Sequence, residues 1–213
     1  MRLTLIAALV AGQLSFSAAQ AAEPIVQTVE QHRDDLGEID KRGSGFVHRS
    51  ANYVFPPALA DMPARKTITY GPGDGAVYYT LRGGANNDPW VDLFVYPAQI
   101  GLIEEEANVS GSLTSKSEAR EIPNPVGMPG APKGARERWY EAVIQGTPVL
   151  TGYRIVRDGA WFIKVRLTIP TAGGKEALDR AWRGLGAVPW SVAAKSSISA
   201  PSAGSASAPT TTL

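Results

Sequence analysis

TGYRIVRDGAWFIKVRLTIP, residues 151–170, is the stretch whose reading decides the fold. Within it Trp161, Ile163, Val165, Leu167 and Ile169 are apolar at every second position, and Phe162, Lys164, Arg166 and Thr168 alternate with them. A period of two is the signature of a strand with one buried face. Asp158-Gly159 lies between this run and an earlier one, a tight hairpin signal. A two-residue Asp158-Gly159 turn sets Val156 against Trp161 and Arg154 against Ile163 on one face. On the other it sets Ile155 against Phe162, Tyr153 against Lys164 and Thr151 against Arg166, with Gly152 bare opposite Val165.

The second face poses the functional question, because Lys164 and Arg166 interrupt the apolar Ile155, Tyr153 and Phe162. Three readings stand open. The aliphatic stems cover Tyr153 and Phe162 at a sheet edge while the charges reach water. A neighbouring strand supplies an ion pair through Glu137 or Glu141. Or the cations hold an anion or a partner, where the Arg fork matters more than the Lys ammonium.

Outward from this hairpin, further strand patterns lie at 52–56, 66–71, 76–83, 90–97, 137–146 and 148–157. The turn cluster GPGDG at 71–75 separates two of them. Residues 98–121 change to a helical period, and 122–134, rich in Pro and Gly, read as a long mobile loop. Residues 173–190 carry Ala177, Leu178, Ala181, Trp182 and Leu185 on one helical face, and Gly184 and Gly186 mark the end of that helix. Short links between neighbouring strands imply antiparallel pairing. The expected fold is therefore α+β: an antiparallel sheet of about six or seven strands with helices packed on its faces.

The chain has 213 residues, 44% hydrophobic and 19% charged, which suits one globular domain with tails. Residues 1–21 read as an export signal: Arg2, an apolar run from Leu3 to Val10, then Ala19-Gln20-Ala21. Cleavage near Ala21 directs a bacterial protein to the periplasm or outside the cell, with no transmembrane segment afterwards. Residues 22–45 are a polar lead-in, helical or flexible, with Val26, Val29, Leu36 and Ile39 at roughly helical spacing. The single domain runs over 46–190. Residues 191–213 hold 18 Ser, Ala, Thr or Pro among 23, too little apolar surface to offset the entropy of ordering, so a disordered tail is expected.

Cysteine is absent, which excludes disulfides, thiol nucleophiles and thiolate metal sites. The net charge of +1 argues against nucleic acid as a partner. His32 and His48 read as surface histidines, since HRSAN around His48 has no nucleophile-elbow pattern. The two are badly spaced for zinc. Glu104, Glu105 and Glu106 read as a solvated helix surface. No pattern calls for a cofactor, and none suggests a catalytic set. The aromatics cluster in strands, and an aromatic cleft between sheet and helix, rimmed by Arg82, Lys164 and Arg166, is the default pocket.

The run YVFPPALADMPARKTITYGPGDGAVYYTL, then LFVYP, then TGYRIVRDGAWFIKVRLTIP, resembles a group of exported bacterial proteins. With its strand and helix order it also resembles the PsbP/MOG1/DcrB-like α+β domain over residues 52–186, with Phe162, Lys164 and Arg166 as the most distinctive match. The resemblance implies an accessory or binding role and carries over no catalytic residues. The expected function is a non-catalytic binding domain of the cell envelope, its partner an envelope protein or a small anionic ligand. The alternative is a small-molecule or lipid-binding protein using the aromatic cleft, and a hydrolase with an unconventional site ranks below it. The binding residues expected are Lys164, Arg166, Tyr153, Phe162 and Arg82.

Overall fold

The computed structural model describes residues 23–81, 87–116 and 118–192. The export signal expected at 1–21, Arg82, and the part of the expected tail beyond Val192 lie outside the described residues.

The hairpin that opened the reading is present as β11 (Thr147–Asp158) and β12 (Trp161–Pro170). Its turn is Gly159-Ala160 rather than Asp158-Gly159, with Asp158 opposite Trp161. Gly159 takes φ of 59°, the left-handed first position of a Gly-X hairpin turn that suits strand twist. Every pairing is thereby displaced by two residues: Tyr153 faces Arg166, Ile155 faces Lys164, and Gly152 faces Leu167. A displacement of two leaves each side chain on the face it was assigned. β12 is also not at an edge. It lies between β11 and β8 (Trp90–Pro97), in the middle of the sheet.

The remaining strands of that sheet are β1 (Ile25–Thr28), β5 (Ala58–Leu59), β6 (Met62–Gly71), β7 (Asp74–Thr80), β9 (Arg120–Ile122) and β10 (Arg136–Ile144). Their order is β1-β6-β7-β8-β12-β11-β10-β9, all antiparallel, with β5 paired to β6. A second sheet holds β2 (Ile39–Arg42), β3 (Gly45–His48) and β4 (Tyr53–Phe55). The described α-helices are α1 (Leu102–Lys116) and α2 (Gly174–Gly186). None of the described helices is long and apolar enough to cross a membrane.

This overturns the expected α+β sandwich. The molecule is mostly antiparallel β, with nine strands in one sheet where six or seven were expected. Much of the layer facing that sheet is a second sheet rather than helix. Two of the added strands, β5 at 58–59 and β9 at 120–122, lie outside the expected strand patterns, and the rest of the difference comes from residues 23–48. The expected helical or flexible lead-in is instead a strand on β6, a single 3-10 turn at Asp34–Leu36, and the β2–β3 hairpin. That hairpin turns at Gly43-Ser44, where Gly43 takes φ of 60°. Burial of Ile39 and Phe46 in the main core drives the arrangement, and tertiary packing overrides the weak local period.

The two faces of the main sheet are covered differently. One carries Val91, Leu93, Val95, Ile163, Val165 and Leu167, all buried. It packs against Ile39, Phe46, Tyr53 and Phe55 of the small sheet and Ala177, Ala181, Trp182 and Leu185 of α2. Burying such a side chain fully contributes about 1.5–3 kcal/mol relative to leaving it in water. Gly152 is needed on this face. A Cβ there would lie 2.5 Å from the Trp139 ring, which crosses it from β10. Arg154, 1% exposed, is buried on the same side. Its Nε donates to Glu137 at 2.7 Å and its terminal nitrogens donate to the Pro129 and Gly130 carbonyls at 2.8 and 3.3 Å. Those bonds tie residues 129–130 to the core, so the segment expected as a mobile loop is irregular but anchored.

Candidate functional site

The other face of the sheet is where Lys164 and Arg166 project. α1 packs on part of it, against β10 and β11. Its Leu113 joins Tyr140, Tyr153, Ile155 and Phe162 in a second core cluster. Hydrogen bonds fix the helix in place. Tyr153 donates to the Glu106 carbonyl at 3.2 Å, Tyr96 donates to Glu105 at 2.6 Å, and Ser110 and Tyr140 share a bond of 2.6 Å. Glu106 is buried between Arg136 and Arg138 at 2.8 and 3.0 Å. Of the three glutamates expected in solvent, then, only Glu104 is exposed.

Beside α1 the sheet continues through β8, β7 and β6, and here a cleft of about 720 Å³ opens. Its sheet wall is Tyr70, Phe94, Tyr96 and Phe162, and its helix wall is Val109 and Leu113. Asp74, Glu105, Lys164 and Arg166 supply the charge. A volume of this size is typical of small-molecule sites.

The sheet register explains the arrangement. Lys164 faces Phe94 across β8, and Phe162 faces Tyr96. The Lys164 ammonium therefore lies over two rings, 4.5 Å from the Phe94 centroid and 4.7 Å from that of Tyr96. Such contacts are worth more where water is thinned. Burial pulls this ammonium below its usual range. Glu105 and Asp74 oppose the shift, and Arg166 adds a smaller push downward. Arg166 faces Asp92 across the strands, yet no ion pair within 4 Å joins them. Its Nε is shielded from solvent and has no acceptor among the described residues.

The acids respond in kind. Burial pushes the Asp74 carboxyl up to about 6, with Lys164 pulling the other way and Glu105 adding to the rise. Burial likewise pushes Asp92 up to about 6 against the pull of Arg166 and Lys164. Tyr70 rises to about 12 through burial and then the charges of Asp92 and Asp74. Tyr96 is held higher still by burial and its bond to Glu105. The cleft thus holds both signs of charge, and its Lys164, Arg166 and Asp74 form no direct ion pair within 4 Å with one another or with the neighbouring Asp92.

Of the residues named from the sequence, Lys164, Arg166 and Phe162 line the cleft together. Tyr153 does not: it is 1% exposed beneath α1. The ion pairs considered for the two cations go elsewhere, since Glu137 holds Arg154 and Glu141 holds Arg120. Sequence reasoning missed Asp74, Asp92, Glu105 and Tyr70. Asp92 had a signal, for it alternates with Phe94 and Tyr96 in WVDLFVYP. Asp74 was concealed in a turn cluster, and Glu105 in a run of like charges.

The histidines lie on the covered side, away from this cleft, and are not surface residues. His48 is fully buried, its ring 5.4 Å from that of Trp161. Burial lowers its pKa against the opposing charge of Glu38. The His32 side chain is 1% exposed and bonded to Thr67 and the Ile39 carbonyl. No group of three His, Cys, Asp or Glu among the described residues is disposed to hold a metal ion.

Comparison with known proteins gives no match: no family model, no curated protein and no solved structure aligns significantly with the chain.

Proposed function

We propose that the chain is an exported, non-catalytic binding domain of the bacterial cell envelope that takes a small molecule into the cleft beside α1. Export rests on the leader pattern at 1–21. The ligand role rests on one observation. Lys164, Arg166 and Asp74 line an aromatic-walled cleft, partly buried, without a direct ion pair among the described residues. Buried polar groups are ordinarily partnered, and those facing a cavity are supplied by water or a ligand. A docked protein partner has less support, since the exposed large apolar residues lie on separate elements, such as Val26 on β1, Ile103 on α1 and Val143 on β10.

A thermal-shift screen of small amphipathic compounds against the mature chain tests this reading. At least one chemical class is expected to raise the melting temperature, and Phe94→Ala, which removes one cleft wall, is expected to abolish the rise. No stabilising compound, or a rise indifferent to Phe94→Ala, would refute the cleft as a site.

A further inference from the structure

The two cations of the cleft are not equivalent. The Lys164 ammonium is already balanced: it sits over Phe94 and Tyr96 and within the fields of Glu105 and Asp74. A second cation entering the cleft would compete with Lys164 for those same carboxylates. Glu105 also accepts a hydrogen bond of 2.6 Å from the Tyr96 hydroxyl.

Arg166 is in a different position. Its strand-opposite neighbour is an acid, Asp92, and side chains so placed have Cβ atoms about 4.5–5.5 Å apart. An Arg and an Asp at that separation ordinarily close a pair, but here none forms, and Arg166 Nε is shielded with no acceptor among the described residues. A guanidinium is a planar fork of donors matched to two oxygens on one centre. The surface beyond it has an apolar part, Phe94 and the nearly buried Phe162 from the sheet with Val109 and the nearly buried Leu113 from α1, beside the polar Glu105, Asn108 and Ser112 of the helix.

We propose that the ligand is a single-chain amphiphilic carboxylate, its head group on Arg166 and its apolar body against Phe94, Phe162, Val109 and Leu113. The inference depends on the small-molecule reading of the cleft and names the ligand class for it. The carboxylate supplies the acceptor that Arg166 Nε lacks, and the chain lies against the partly exposed Phe94 and Val109. Lys164, held over its two rings, serves as a positively charged floor rather than the contact atom.

Isothermal titration of the mature chain at pH 7 with octanoate, octan-1-ol and octylamine tests the assignment, because the three differ only in the head group. Octanoate is expected to bind, and the alcohol and amine to bind at least tenfold more weakly. Arg166→Gln should weaken octanoate roughly ten- to a hundredfold, the range for a hydrogen bond to a charged group. Arg166→Lys, which keeps the charge but not the fork, should fall between. Circular dichroism establishes that each variant is folded, and the head-group series on the unaltered chain stands even if a variant is not. Equal binding of the alcohol or amine, or octanoate affinity unchanged in Arg166→Gln, overturns the carboxylate assignment and leaves the small-molecule site in place. If no probe binds here while other compounds shift the melt, this inference alone falls. If nothing binds in either experiment, both readings fall.

Discussion

The two faces of the main sheet each hold an arginine on the same hairpin, and they treat it differently. On the face covered by the small sheet and α2, Arg154 is 1% exposed and fully engaged, with Glu137 and two carbonyls around it. On the face that α1 covers only in part, Arg166 lies across from Asp92 without closing a pair. The contrast follows from solvation. A charge shut away from water must bring its partners with it, because an unpaired buried ion is far too costly. A charge beside an open cleft keeps some hydration and tolerates an incomplete set of bonds.

The largest effect should come from breaking the covered side. Glu137→Leu leaves the Arg154 guanidinium buried without its carboxylate, and a stability loss of about 3–5 kcal/mol in urea unfolding is expected. A loss under 1 kcal/mol would mean the two carbonyls suffice, and the contrast between faces would weaken. Next is Gly152→Ala, whose methyl would meet the Trp139 ring and the Arg138 carbonyl at 2.5 and 2.8 Å. Overpacking of this kind costs about 1–3 kcal/mol. A neutral result would show that Trp139 yields more easily than a packed core should.

On the open face the sign reverses. Asp92 titrates at about 6 in the fold against an ordinary 3.8, so the folded state binds the extra proton between those values. The stability this contributes is complete below about pH 4 and is lost as pH rises through 6. Asp92→Asn should then be more stable than the parent at pH 8 by on the order of 1 kcal/mol, discounted for partial exposure, with the gap closing by pH 4. Equal urea midpoints at pH 8 would remove burial as the cause of the shift. The smallest effect belongs to Arg166→Ala, expected to change stability by less than about 1 kcal/mol, because the guanidinium closes no ion pair that its removal would break. A loss as large as that of Glu137→Leu would place Arg166 among the structural charges and leave the comparison without its second member.

Much of this was legible in local pattern. The alternation in 161–170 assigned every side chain of β12 to its face, and that survived a two-residue error in the turn because parity is insensitive to even displacements. The same alternation put Phe162, Lys164 and Arg166 together. The position of β12 was not legible. Strand order depends on pairings between distant segments, and nothing in 161–170 states that β8 lies on its other side. Residues 23–48 show the same limit more sharply. Their apolar residues are few: burial of Ile39 and Phe46 makes strands of β2 and β3, and β1, with Ile25 and Val26 exposed, is held by its pairing to β6, although the two-residue turn at Gly43-Ser44 was a readable sign.

By itself the sequence determined the strand faces, the absence of any thiol chemistry, and the pair of cations set among aromatic residues, since each depends on residue identity and a period of two. Only the tertiary structure decided which charges are satisfied. Whether Glu137 reaches Arg154 or Arg166 depends on which side of the sheet it faces, and whether Asp92 or Asp74 feels Lys164 depends on how β7, β8 and β12 are ordered. Coulomb interactions and desolvation act through space, so the partners of a charge are set by the fold and not by its neighbours in the chain.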